Sequence, residues 1–195
     1  MFPMLALFIV FLLVLAYFRR KSDAAQAKAD EAFWSKERNA NATRRKNLDE
    51  LDYITIPVEK LPLDADSPSC QTILTLSEKR LFHPGSMTNT ELKLQYGAAN
   101  LEALSEYESD YIRLEQALDA YATELLEKRR SQDAARILEF AVSTGCDIGH
   151  IYLTLATIYK EQNKTEQLTS LIDAAKQIPA LNRKPFLDRM EGYLS

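Results

Sequence analysis

Histidine, cysteine and glycine are scarce in this chain: two, two and five among 195 residues. Five scattered glycines, none in a GxGxxG or GxxxxGK order, leave no loop whose backbone could cradle a phosphate. His83 stands beside Pro84 and His150 stands alone, so no HExxH or comparable metal motif exists. Cys70 and Cys146 form no CxxC pair, which removes a disulfide framework and a zinc knuckle and leaves two buried thiols as the expected reading. Cys146 and His150 are four apart, but Gly145, Asp147 and Gly149 place a turn there, and a nucleophile needs a third group to orient its base. No catalytic residue, cofactor, metal or small-molecule substrate is expected.

A basic balance is also lacking. The formal net charge is -4, and it is unevenly divided. Arg19 to Lys46 holds nine Lys/Arg against four Asp/Glu, a surplus of five; the first eighteen residues are neutral, so the rest of the chain carries about -9. An acidic body without a basic stripe argues against nucleic acid as a partner.

Charge is absent altogether from residues 1–18, MFPMLALFIVFLLVLAYF, which run directly into Arg19-Arg20-Lys21. Eighteen helical residues reach about 27 Å, close to the roughly 30 Å hydrocarbon layer of a bilayer. A cleaved signal wants a basic segment before the apolar run and a small-residue site after it, whereas this run ends Tyr17-Phe18-Arg19. The reading is a single-pass transmembrane anchor in contact with membrane lipid. Tyr17 and Phe18 sit at the interface, and Arg19, Arg20 and Lys21 hold the body on the cytoplasmic side.

Residues 19–48 contain neither Gly nor Pro and read as a basic juxtamembrane helical stalk, with Phe33 and Trp34 as its one apolar point, assigned to the membrane interface. Residues 49–67 form an extended linker: Tyr53, Ile54, Ile56, Val58 and Leu61 are too apolar to stay in water, and Pro57 and Pro62 deny a central strand, so the segment is expected to lie along the body. Whether it plugs a groove there is open at this stage.

Residues 68–195 read as an α-helical domain. Ser67 caps a helix from Pro68 to Leu81, closed by His83-Pro84-Gly85; Asn89 caps a short helix to Tyr96; Leu101, Leu104 and Tyr107 mark another; Ser109 caps the longest, on Ile112, Leu114, Leu118, Tyr121, Leu125 and Leu126. A 34-residue period then appears. Leu118, Tyr121, Ala122, Leu125, Ala134, Leu138 and Ala141 are echoed by Tyr152, Leu155, Ala156, Tyr159, Leu168, Ile172 and Ala175. Small residues at contacts and bulky ones between turns suit antiparallel helix pairs.

With Ile151 to Tyr159, Asn163 at the turn and Pro179 after the second helix, the pattern resembles the tetratricopeptide repeat over about 114–195. Repeats at about 115–148 and 149–182 would be followed by a cap at 183–195, where Phe186 and Tyr193 continue the series of Tyr152 and Tyr159. The whole layout also resembles small membrane-anchored bacterial proteins, a likeness that carries no activity. The fold class is thus mainly α: a transmembrane helix and stalk, then a solenoid of antiparallel helix pairs with a terminal capping helix.

The resemblance implies a groove on the first helix of each pair, here Gln116, Asp119, Thr123 and Glu127, then His150, Leu153, Thr157 and Lys160. Relatives that clamp a terminal carboxylate use Lys and Asn in this groove, and Asp119, Thr123 and Thr157 stand there instead. The function expected is a membrane-tethered scaffold for an unidentified protein partner. The alternative is a membrane-surface sensor or lipid-interacting structural protein acting through the basic stalk.

Overall fold

The computed structural model describes the backbone of residues 2–194 and the side chains of residues 7–194. Among the described residues there are eight α-helices and no strand: α1 (Phe2–Ala42), α2 (Pro68–Ser77), α3 (Asn89–Tyr96), α4 (Leu101–Glu127), α5 (Ser131–Ser143), α6 (Gly149–Glu161), α7 (Thr165–Gln177) and α8 (Lys184–Glu191). One isolated antiparallel bridge pairs Ile54 with Leu81. The chain forms two compact units, Met1–Asn47 with Thr88–Leu101, and Leu48–Met87 with Glu102–Ser195.

In the first unit α3 packs on the C-terminal part of α1. A capping box starts α3: the Thr88 hydroxyl accepts from the Glu91 N–H, and the Glu91 carboxylate accepts from the Thr88 N–H. Thr88, one residue before the expected cap Asn89, does the capping because it has the glutamate three residues on. Across to α1, Glu37 accepts hydrogen bonds from the Thr90 hydroxyl and from Lys93, the latter at 3.0 Å, and Lys36 pairs with Glu91 at 3.4 Å. The expected stalk helix to residue 48 stops at Ala42. Beyond it the Lys46 N–H donates to the Tyr96 carbonyl, and the Asn100 amide donates to the Lys46 and Tyr96 carbonyls, so helical continuation gives way to tertiary hydrogen bonds. Gly97 (φ 95°) permits this closeness, since a Cβ there would lie 2.3 Å from the Arg44 carbonyl oxygen.

Among the described residues no helix is long and apolar enough to cross a membrane. The expected anchor at 1–18 includes residues 1–6, whose side chains lie outside the described set. The twelve described residues from Leu7 to Phe18 span about 18 Å as helix before Arg19 arrives.

The second unit is built on α4. The spacing that suggested a short helix followed by a second one capped at Ser109 instead belongs to one 27-residue helix, because no Gly or Pro interrupts Leu101 to Glu127. Ile112, expected inside, is 45% exposed. α2 is shorter than expected: it ends at Ser77, and Leu81 turns back into the bridge with Ile54, where it is fully buried. The extended segment lies on this unit's core. Ile56 is buried; Ile54, Val58, Leu61 and Leu63 pack against the core; and the Tyr121 hydroxyl donates to the Pro62 carbonyl at 2.8 Å.

Helices α4 to α7 repeat with a fixed offset. Glu127 and Glu161 end α4 and α6, Ser131 and Thr165 start α5 and α7, and Ser143 and Gln177 end them, each pair 34 residues apart. The turns match too: the Arg130 N–H donates to the Leu125 carbonyl at 2.8 Å and the Lys164 N–H to the Tyr159 carbonyl at 2.9 Å. All fourteen positions of the apolar echo, from Leu118 to Ala175, are buried. Helix α8 packs on α6 and α7, burying Met190 and laying Phe186 beside Gly149.

Candidate functional site: an exposed helix face and an aromatic pair

Six of the eight groove positions are exposed on α4 and α6: Gln116, Thr123, Glu127, His150, Thr157 and Lys160. Leu153 is half-buried against the core. His150, exposed, and Asp119, half-buried, are joined, with imidazole Nδ1 2.7 Å from the carboxylate oxygen, so one polar contact ties the two helices. Exposed pairs of this kind contribute little to stability, so the contact links α4 and α6 without carrying their packing. The Thr157 hydroxyl donates to the Leu153 carbonyl and lies 3.3 Å from the Tyr193 hydroxyl, which extends the face to the end of α8. Because the extended segment sits against Tyr121 and the core while Gln116 and Thr123 stay in solvent, it leaves this face open.

The linker is fixed by electrostatics as well as burial. Ser69 donates to Glu124 at 2.7 Å, and Asp64 faces Lys128 at 3.5 Å and Arg130 at 3.9 Å. The hydroxyls of Ser67 and Ser69 hold Glu124 below the ordinary carboxyl range. On the opposite side of the repeats, α5, α6 and α7 border a cleft of about 420 Å³ with Val142, Leu155, Tyr159 and Leu171 beneath Glu139 and Glu166. Glu139 accepts a hydrogen bond from the Tyr159 hydroxyl at 2.9 Å.

Sequence reasoning missed Glu115. It lies on α4 with only 4% of its surface exposed and accepts from the Asp147 N–H at 3.3 Å. Burial raises its pKa, against the lowering effect of hydrogen bonds with Cys146 and Tyr111. Burial likewise pushes the Cys146 thiol and the Tyr111 phenol up, so both stay neutral and unreactive as acids. Their hydrogen bonds serve the α5–α6 connection: the Tyr111 hydroxyl donates to the Thr144 carbonyl and the Tyr152 hydroxyl to the Cys146 carbonyl. The sequence signal was present but faint. Glu115 stands 34 residues before Gly149, where the next unit needs no side chain because Phe186 fills the space. Among the described residues no group of three or more His, Cys, Asp or Glu is arranged to hold a metal ion.

The positions assigned to the membrane interface are all on α1 and exposed. Tyr17 and Phe18 meet edge to face with ring centroids 5.7 Å apart, followed by Arg19, Arg20 and Lys21. Phe33 and Trp34 form a second edge-to-face pair at 5.3 Å, 55% and 58% exposed. The helix between the two pairs is unbroken, so Phe33 lies fifteen residues, or about 23 Å, along the axis from Phe18. A helix standing along the bilayer normal cannot hold both pairs at the same interface. No family model, no curated protein and no solved structure matches this chain.

Proposed function

We propose that the chain is a membrane-tethered adaptor that holds another protein on the open face of α4 and α6, with no catalytic step of its own. The supporting observation is the 34-residue register shared by helix ends, turns and buried positions, which leaves one polar face of successive first helices in solvent. This register supports reading the helices as a tetratricopeptide-like pair, a unit whose stacked copies present a recognition surface. The anchor in this reading is residues 1–18. Leu7 to Leu15, Tyr17 and Phe18 are large, apolar and exposed along one helix, a surface that water disfavours and a hydrocarbon layer accepts. Arg19, Arg20 and Lys21 place the body on the cytoplasmic side. Tethering raises the effective concentration of whatever is held there.

Cross-linking in native membranes tests the proposal. A protein captured by the full chain should be lost when Thr123 and Thr157 are changed to Arg and Lys160 to Glu, with flotation of the chain unchanged. Capture that survives all three changes would place the partner elsewhere. The lipid-interacting alternative draws on exposed Arg19, Arg20 and Lys21 beside Tyr17 and Phe18, and predicts stronger vesicle association when anionic lipid is added.

A further inference from the structure

We infer that Phe33 and Trp34 form a contact between two copies of this chain standing side by side in one bilayer; the inference rests on the anchor proposed above. Three observations select a second copy over lipid or a charged partner. The first is height: at about 23 Å beyond Phe18, the pair stands clear of a head-group layer that adds about 5–8 Å on each side of the hydrocarbon.

The second is charge. The basic surplus of the stalk sits at its two ends, in Arg19 to Lys21 and Arg44 to Lys46. Between Ser22 and Thr43 three basic residues face four acidic ones. Those flanking the aromatics are already paired within the chain: Arg38 with Glu31 at 2.7 Å, Lys36 with Glu91 at 3.4 Å, and Glu37 with Lys93 at 3.0 Å. This section of α1 therefore carries a net charge of only about -1, which does not draw an anionic bilayer or a strongly charged protein and sets little repulsion between two copies.

The third is orientation. Anchors in one membrane leave copies parallel, so a two-fold axis along the bilayer normal brings Phe33 and Trp34 of one copy to the same residues of the other, as a self-complementary interface requires. The contact is small, and confinement in two dimensions is what makes it populated.

Trp34 is the sole tryptophan, so its emission reports the contact directly. The full chain, reconstituted into phosphatidylcholine vesicles at rising protein-to-lipid ratio, should show a progressive blue shift that Phe33→Ala removes. Asp30, one turn before the pair on the same side of the helix, should cross-link to its counterpart on mild oxidation of Asp30→Cys; Lys28→Cys, on the far side, should not. Emission indifferent to surface density in vesicles that still carry the chain overturns the contact, as does quenching by brominated lipid or equal cross-linking at both cysteines. A chain that fails to float with vesicles overturns the anchor first, and the parallel pairing with it.

Discussion

Arg129 and Asn163, 34 residues apart, are the only non-glycine residues among those described with a left-handed backbone, at φ 58° and 56°. Each closes the helix pair that it joins, and each sits where a small turn needs a conformation that costs an L-residue roughly 1–2 kcal/mol, less for asparagine. The two positions therefore differ in strain although they do the same job.

Arg129→Gly is expected to stabilise the second unit by about 0.5–1 kcal/mol, the relief of the left-handed conformation less the greater freedom of glycine when unfolded. Asn163→Gly should change stability by a few tenths at most. Urea unfolding of both variants checks the contrast; equal effects would contradict the difference in strain between the two turns.

Gly97→Ala should cost the first unit several kcal/mol. The added Cβ would meet the backbone of Arg44 at 2.3 Å and Arg45 at 2.7 Å, and φ 95° is itself strained for alanine. Amide exchange in α3 and the end of α1 should accelerate, while α5 to α7 keep their protection.

Glu115 sets a pH dependence of unusual sign for a carboxylate. Its folded pKa lies above the ordinary 4.5, so the folded state binds the proton more tightly than the unfolded one. The stability it contributes is complete below that ordinary value and is lost as pH rises through the folded pKa. Glu115→Gln should flatten this slope and unfold at higher urea than the parent at pH 8; a parent that is more stable at pH 8 than Glu115→Gln would contradict it.

Glu37 and Glu91 act in the opposite direction. The Thr90 hydroxyl and Lys93 lower Glu37, and the backbone and hydroxyl of Thr88 lower Glu91. Their contributions are present above the ordinary carboxyl value of 4.5 and disappear as pH falls through the depressed folded values. Acidification should loosen α3 on α1, which amide exchange between pH 5 and pH 3 would detect. Glu37→Gln should shrink the change.

Much of this architecture could be read from residue types. The period of 34 put Ala134 to Ala141 and Leu168 to Ala175 in corresponding helices, α5 and α7, because buried apolar positions repeat only when whole helix pairs do, and Ser67 before Pro68 marked the start of α2 by cap chemistry alone. What could not be read depended on distant partners. Ala42 ends α1 because Tyr96 and Asn100 take over the following backbone, and Leu81 leaves α2 for Ile54. The residues of the face on α4 and α6 came from what the repeat resemblance implies, and six of the eight lie exposed. The His150–Asp119 contact between the two helices and the burial of Glu115 arise from packing between segments more than thirty residues apart.

The bond from Tyr121 to Pro62 joins residues 59 positions apart. During synthesis the strip from Ile54 to Leu81 emerges well before α4 exists to receive it, and it is rich in apolar side chains. For that interval the nascent chain carries an apolar strip with nothing of its own to cover it. A ribosome that pauses between the two would lengthen the exposure, and a version starting at Leu114 would lack the strip and leave the Tyr121 flank uncovered.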